Sequence, residues 1–205
     1  MQLFIYNFLR LLYLAAARVL ALFNKKAEKW INGRKNWEQH FRDTLQEGEK
    51  RIWIHCSSTG EFEQARPLIE ALRSKYPAYK VVLTFFSPSG YEACLKNNPA
   101  DYIFYLPNDS SRNARRFVGI VQPSLVMFSK YEFWYFYLQA LKANGIPALM
   151  VSGAFRQEQQ FFKWYGRFFR DMLHSFSFFF LQDKESERLL NTIGIDKNIL
   201  ISGDT

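Results

Sequence analysis

The sequence predicts an α/β protein built on a Rossmann-like, doubly wound, mostly parallel sheet. Short apolar runs with β-type composition recur along the chain, and helical patterns lie between most of them. Turn residues mark the boundaries: Pro77 follows one helical pattern, Pro88 opens another, and Gly145 precedes a strand-like run. Alternating strands and helices favour parallel strands joined by right-handed crossovers.

The predicted elements cover most of the chain. Strands are predicted at residues 52–56, 81–85, 102–105, 125–128, 148–151, 178–181 and 199–201. Helices are predicted at residues 25–46, 61–76, 90–97, 110–121, 131–144, 157–176 and 184–192. The first strand lacks a following G-x-G-x-x-G phosphate loop, which argues against dinucleotide binding.

Composition limits the classes of function. A hydrophobic content of 48% over 205 residues is enough for one sizeable core. A formal net charge of +8 favours an anionic partner, which is a membrane surface, a phosphorylated substrate or nucleic acid. Nucleic acid is the least favoured because the chain has no helix-turn-helix, RRM or zinc-finger signature, and we predict no nucleic-acid partner.

The cysteines and histidines do not form a metal-binding pattern. Cys56 and Cys94 lack zinc-site or C-x-x-C spacing, and a reducing compartment is the economical interpretation. His40, His55 and His174 are isolated in the sequence. We therefore predict no metal site and no cofactor.

Residues 1–24 are predicted to form a membrane-anchoring helix, and residues 25–205 the Rossmann-like domain. The apolar segment is just long enough to span a bilayer, but Arg10 and Arg18 within it favour a monotopic or oblique helix. Packing against the domain is the third interpretation, and a cleavable signal peptide is disfavoured. Lys25 and Lys26 follow at once, which predicts a domain on the cytoplasmic side.

A candidate catalytic group follows the first predicted strand, where the chain continues as Ser58, Thr59, Gly60 and Glu61. In open α/β sheets, ligands bind beyond the carboxyl ends of the strands. Glu61 is therefore a candidate general base. The same S-x-x-E spacing is that of a capping box, in which Ser58 and Glu61 only close the end of a helix.

Six motifs in order resemble the 3-deoxy-D-manno-octulosonic acid (Kdo) transferase family, over nearly the whole chain. The 58–61 loop is similar to the family's S-V-G-E, and residues 123–134 to its P-x-L-V-x-x-x-E-T-E-L-W. The other four elements are Gly33-Arg34-Lys35 with Trp37-Glu38, Thr84 to Gly90, Tyr105 to Asp109 with Arg116-Phe117, and Gly203-Asp204-Thr205.

The resemblance implies the N-terminal, acceptor-binding lobe of a two-lobed GT-B glycosyltransferase, with CMP-Kdo held by a C-terminal lobe. The abrupt ending after the last predicted strand predicts that more protein follows. The implied acceptor is a lipid A precursor at the cytoplasmic face of the inner membrane, in lipopolysaccharide biosynthesis. The implied reaction is inverting and metal-independent. Glu61 is then the base that deprotonates an acceptor hydroxyl, with Ser58, Thr59 and Gly60 contacting substrate.

Two motifs depart from the family pattern. Lys130 replaces the first acid of E-T-E-L-W, and either supplies positive charge in the catalytic site or is a solvated surface residue. Glu132 keeps the second acid, and it either binds substrate or stabilises a helix N-terminus. Arg156 takes the place of the arginine in the family's A-R-L-S, one residue later, as a candidate phosphate-binding group.

Two further interpretations stay open. A basic and aromatic helix containing Lys163, Arg167 and Arg170 rests either on anionic headgroups or against the domain. The alternative to a transferase is a non-catalytic, membrane-tethered module that binds an anionic lipid or phosphorylated sugar.

Overall fold

The computed structural model describes residues 2–130 and 132–203 and contains one seven-stranded parallel sheet. The strand order is β3-β2-β1-β4-β5-β6-β7. The bounds are β1 Lys50–Cys56, β2 Tyr79–Phe85, β3 Tyr102–Tyr105, β4 Pro123–Ser129, β5 Ala148–Gly153, β6 Phe178–Leu181 and β7 Ile199–Ile201. The predicted doubly wound α/β fold and all seven predicted strands are confirmed.

Nine α-helices lie within the described residues. They are α1 Gln2–Leu20, α2 Lys25–Asn32, α3 Trp37–Thr44, α4 Thr59–Lys75, α5 Pro88–Lys96, α6 Ser111–Val121, α7 Tyr135–Ala143, α8 Arg167–Leu173 and α9 Lys184–Asn191. Each crossover joins parallel strands, so the helices cover the faces of the sheet and both faces are buried. The core accordingly divides into two clusters, one around Trp53 and Phe128 and the other around Ile54 and Leu83.

The prediction of one continuous helix over residues 25–46 is wrong, because a turn separates α2 from α3. A Cβ atom on Gly33 would lie 2.4 Å from the Tyr105 ring, so only glycine allows this close approach. Asn36 then adopts a left-handed backbone with φ of 49°, which ends any continuous helix. The turn lets α3 pack Phe41 onto Phe104 with ring centroids 3.8 Å apart.

The predicted helix over residues 157–176 is also wrong, since a 3-10 turn at Gln160–Phe162 and the short α8 replace it. Gly166 separates the two, and a Cβ atom there would lie 2.1 Å from the carbonyl oxygen of Gln160. The predicted basic and aromatic helix is therefore divided. Lys163 lies before α8, and Trp164 is 92% exposed.

Arg34 fixes α2 to the carboxyl ends of β2 and β3. Its guanidinium donates hydrogen bonds to the carbonyl oxygens of Trp30, Phe86 and Leu106 at 2.7–2.9 Å. The same group lies 4.1 Å from the centre of the Trp30 ring. Burial lowers the pKa of Arg34 to about 10, so the side chain stays charged at neutral pH.

Helix α1 is attached to the domain along one face. Tyr6 donates a hydrogen bond to the buried carboxylate of Asp109, which also accepts the backbone amides of Phe136 and Tyr137 at 3.2 Å. Further along α1, Tyr13 contacts Trp30 edge to face at 5.6 Å. Asp109 therefore joins α1 to the start of α7, which begins beside the carboxyl end of β4.

The opposite face of α1 is apolar and exposed. Phe4 is 76% exposed, and Phe8, Leu11 and Leu12 are each more than half exposed. The helix is long and apolar enough to cross a membrane, by length and composition only. An apolar face of this extent marks a membrane or protein interaction surface.

We expect Tyr6→Phe to destabilise the fold by about 1–3 kcal/mol, because it removes a donor from a buried carboxylate. Burial raises the pKa of Asp109 to about 6, against the hydrogen bonds that lower it, and losing the Tyr6 bond raises this pKa further. A raised pKa favours the protonated folded state, so stability is lost as the pH rises through it. The loss caused by Tyr6→Phe should therefore be larger at pH 8 than at pH 5.

Denaturant unfolding of both forms in detergent at the two pH values measures this difference. Tyr13→Phe is the matched control, because it removes a hydroxyl from the same helix at a position that is 49% exposed. Equal destabilisation by the two variants, or a Tyr6→Phe effect that shrinks at pH 8, would contradict the role given to Asp109.

Candidate active site

The candidate site lies where the sheet reverses its direction of winding. The chain runs from β1 outwards through β2 and β3, then returns to place β4 on the other side of β1. The crossovers after β1 and β4 therefore leave the sheet on opposite faces, which opens a crevice at their carboxyl ends. Glu61 follows β1 and Glu132 follows β4, so the topology places both carboxylates at this crevice.

Glu61 closes the N-terminus of α4 in the predicted capping box. Its Oε2 accepts the backbone amides of Ser57 and of Ser58, the latter at 3.0 Å, while the Ser58 hydroxyl accepts the amide of Glu61 at 3.4 Å. The side chain stays partly exposed. The cap therefore orients the carboxylate without sealing it from solvent.

Two opposing effects act on the protonation of Glu61. Burial and the nearby negative charge of Glu132 raise its pKa, while the amides of Ser57 and Ser58 and the charge of His55 lower it. The net direction is upward from the ordinary value of a glutamate. A raised pKa makes this carboxylate a stronger base than a solvated one, as a general base requires.

Glu132 is almost completely buried, at 6% exposure, and has internal partners. The indole N–H of Trp134 donates to its Oε2 at 2.5 Å, and Nε2 of His55 lies 3.3 Å from the same oxygen. Burial by itself raises the pKa of Glu132, but the interactions with His55, Ser57 and Trp134 outweigh it and the pKa is lowered. Glu132 thus keeps its negative charge in the interior.

His55 lies near the carboxyl end of β1, next to Glu132. Its Nδ1 lies 2.8 Å from the Thr84 hydroxyl, which also accepts the indole N–H of Trp53 at 2.7 Å. On its other side, the ring presents Nε2 to Oε2 of Glu132 at 3.3 Å. These contacts fix the imidazole in one orientation.

The other predicted site residues lie at the same edge of the sheet, but at different depths. Thr59 and Gly60 form the first turn of α4 beside Glu61. Lys130 has a left-handed backbone with φ of 56°, and its amide donates to the carbonyl of Val151. Arg156 follows β5 and is exposed, with its amide bonded to the side chain of Gln159 at 3.0 Å. Tyr131, Asp204 and Thr205 of the quoted motifs lie outside the described residues.

Sequence reasoning missed His55, Thr84 and Trp134 as members of the site. His55 looked isolated because its partners come from β2 and from the segment after β4, 29 and 77 residues away along the chain. A polar residue in an otherwise apolar strand was the signal that could have identified it. Within residues 2–130 and 132–203, no group of three His, Cys, Asp or Glu side chains could hold a metal ion.

The chain is similar in sequence to Kdo transferases. It is 34% identical over 103 residues to the 3-deoxy-D-manno-octulosonic acid transferase of Haemophilus influenzae, covering 49% of this chain and 24% of that protein. The transferase of Chlamydophila psittaci is 28% identical over 156 residues, covering 74% of this chain and 36% of that protein. The chain thus spans about a quarter to a third of the length of these curated relatives.

The fold is shared with solved nucleotide-sugar enzymes. A crystal structure of a putative UDP-N-acetylglucosamine 2-epimerase from Listeria monocytogenes matches with a TM-score of 0.57 at 14% identity. The match covers 77% of this chain and 46% of that one, and shows the fold alone.

The family model described as 3-Deoxy-D-manno-octulosonic-acid transferase matches residues 35–205, so the chain belongs to the Kdo transferase family.

Proposed function

We propose that this chain is the acceptor-binding half of a glycosyltransferase that transfers Kdo from CMP-Kdo to a lipid A precursor. The observation that carries the proposal is the position of Glu61, a partly exposed carboxylate with a raised pKa at the switch point of the sheet. Family membership supports the reaction class. We propose that the donor is bound by a second lobe outside residues 1–205.

In the proposed step, the Glu61 carboxylate removes the proton from a sugar hydroxyl of the acceptor. The hydroxyl oxygen attacks the anomeric carbon of Kdo, and the bond from that carbon to the phosphate oxygen breaks. CMP departs with the bonding electron pair, and attack from the opposite side inverts the anomeric centre. The proton on Glu61 then passes to solvent, which restores the base without a metal ion.

The backbone around Glu61 supplies both orientation and positive potential. The amides of Ser57 and Ser58 hold Oε2, so the carboxylate is positioned before the acceptor arrives. Ser58, Thr59 and Gly60 lie at the N-terminus of the 17-residue α4, where the helix dipole favours anions. We propose that this turn contacts the acceptor near the attacking hydroxyl.

Glu132 was predicted to bind substrate, and its burial favours an indirect contribution through charge. We propose that Glu132 raises the pKa of Glu61 and holds His55 in place, while the indole N–H of Trp134 donates a hydrogen bond to Glu132. Lys130 and Arg156 follow β4 and β5 and are proposed to meet the anionic groups of donor and acceptor.

The N-terminal helix supports a site at the membrane. Basic residues lie beside the apolar face of α1, where they can contact anionic headgroups. Arg18 is exposed within the helix, and Lys25 and Lys26 follow it. We propose that α1 lies in the plane of the inner membrane, on its cytoplasmic face, with the domain beneath it.

Glu61→Gln should abolish Kdo transfer, with a loss of at least about 100-fold in kcat. The amide oxygen of glutamine can still accept the hydrogen bonds of Ser57 and Ser58, so the capping box and the fold should survive. A radiolabelled Kdo transfer assay with a protein carrying both lobes, in detergent micelles with a lipid A precursor, measures the effect. Glu63→Gln is the control, since Glu63 lies two residues further along α4 and pairs with Arg66 on the surface.

Activity retained in Glu61→Gln, in a folded protein, would refute the base assignment. A wild-type protein that binds the lipid A precursor but never transfers Kdo would instead support the alternative of a non-catalytic lipid-binding module. Residues 1–205 alone should behave in this second way, because the proposed donor site lies elsewhere.

Glu132→Gln should shift the acidic limb of the pH profile of kcat/KM to lower pH. The charge of Glu132 raises the pKa of Glu61 by more than the charge of His55 lowers it. Without the charge of Glu132, the pKa of Glu61 should fall, so the variant should keep its base activity down to a more acidic pH. Wild type and variant are compared across the same pH range, so titration of the substrates cancels. An unchanged or alkaline-shifted limb would contradict the proposed coupling.

A further inference from the structure

An apolar groove of about 510 Å³ lies between α1, α2 and the turn after β2. We name it the α1–α2 groove and define it by its principal lining residues, which are Tyr13, Ala16, Leu20, Ala27, Trp30 and Phe86. Helices α1 and α2 both precede residue 35, where the match to the family model begins. The groove is therefore built mainly from a part of the chain that the family model does not cover.

The α1–α2 groove is connected to the candidate site by direct contacts. Phe86 lines the groove, and its ring lies 5.1 Å from that of Trp134, the residue that donates to Glu132. Ser87 also lines the groove, and its amide donates to the carbonyl oxygen of Ser57, which precedes the capping box. A molecule in the groove therefore lies next to the loop that holds Glu61.

The groove also meets the exposed apolar surface of α1. Leu20 lines the groove and is 56% exposed, while Val19 and Phe23 beside it are 60% and 87% exposed. If this surface rests on a bilayer, the groove opens directly into the lipid phase. An apolar chain can then move from the bilayer into the groove without crossing water.

Two polar side chains that line the groove already have partners within the protein, whereas the indole N–H of Trp30 is buried without a hydrogen-bond partner among the described residues. The side-chain oxygen of Asn24 accepts the amides of Lys26 and Ala27, and the Ser87 hydroxyl bonds that of Ser89 at 2.7 Å. The lining therefore offers few groups that would recognise a polar ligand. Lys26 is the cationic residue of the lining, and an ammonium group suits an anionic headgroup.

We propose that the α1–α2 groove binds one acyl chain of the glycolipid acceptor, and that this contact presents the acceptor sugar to Glu61. The inference rests on the proposed function for the identity of the acceptor. An apolar lining, continuity at Leu20 with the exposed apolar surface of α1, and an adjoining loop that holds Glu61 together fit an acyl chain attached to a sugar. The binding energy of a remote chain then helps to position the reacting hydroxyl.

The test compares two substitutions on the same helix. Ala16 and Ala15 are neighbouring exposed alanines of α1, but only Ala16 is a lining residue of the groove. Ala16→Trp should fill the groove, whereas Ala15→Trp adds the same side chain on the opposite face. Circular dichroism and thermal unfolding of the two variants verify that both are folded.

The probe is a lipid A precursor that carries a photoreactive diazirine at the end of one acyl chain, in phosphatidylethanolamine and phosphatidylglycerol vesicles. In the wild type and Ala15→Trp, we expect mass spectrometry to find labelled peptides around Trp30 and Phe86. Ala16→Trp should reduce this labelling by at least about fivefold, and should lower kcat/KM for the acylated acceptor by about tenfold.

Labelling that is confined to the outer face of α1, or that Ala16→Trp leaves unchanged, would overturn the proposal. So would equal labelling by a diazirine phospholipid that excess acceptor fails to displace, because the occupant would then be a bulk membrane lipid. Labelling needs no Kdo transfer. In a protein that carries both lobes, groove labelling without transfer would therefore reject the proposed function and keep the acyl-chain site. Transfer without groove labelling would reject the acyl-chain site and keep the proposed function.

Discussion

The reversal of the sheet between β1 and β4 is the constraint on which the site depends, because it brings two carboxylates to one crevice. Glu132 stays ionised in the interior, since Trp134, Ser57 and His55 offset the cost of burying it. Its charge then acts on Glu61, which is less buried and has a raised pKa. Environments that push the pKa values of two acids apart are typical of sites that assign them separate roles. Here the outer acid suits proton removal and the inner one suits fixed negative charge.

The capping and catalytic interpretations of Glu61 are compatible in this geometry. Both amide hydrogen bonds go to Oε2, from Ser57 and Ser58. A capped carboxylate loses little further conformational freedom when it meets a substrate, so the cap lowers the entropic cost of reaching the reactive geometry. The hydrogen bonds also lower the pKa of Glu61, but burial and Glu132 outweigh them. A helix cap and a general base thus place the same demand on the backbone, namely a carboxylate held at the first turn.

The sequence predicted the elements whose signal is local. The seven strands are short apolar runs, and the capping box is a four-residue pattern, so neither needs knowledge of distant residues. The breaks at Gly33 and Gly166 were missed because each depends on a close approach to another segment, the Tyr105 ring or the carbonyl of Gln160. For the candidate site, the sequence predicted the location of Glu61 beyond the carboxyl end of β1, because that location depends only on the order of the elements. The contacts of His55 and Asp109 were not predicted, because the strand order brings His55 to Glu132 and the docking of α1 brings Tyr6 to Asp109.

The contacts of α1 bear on its orientation at a membrane. Gln2 bonds the carbonyl of Tyr165 at 2.7 Å, and Tyr6, Tyr13 and Ala17 continue the contact with the domain along the helix. A 19-residue helix is about 28 Å long, close to the thickness of a bilayer core. If α1 spanned the bilayer while docked in this way, the domain surface beside it would have to enter the hydrocarbon with its charged groups. Lying in the interface removes that cost and turns the opposite, apolar face towards the lipid. In the proposed function, the same orientation brings the carboxyl edge of the sheet close to the headgroups, so that the proposed lipid-linked acceptor can reach Glu61 without leaving the membrane.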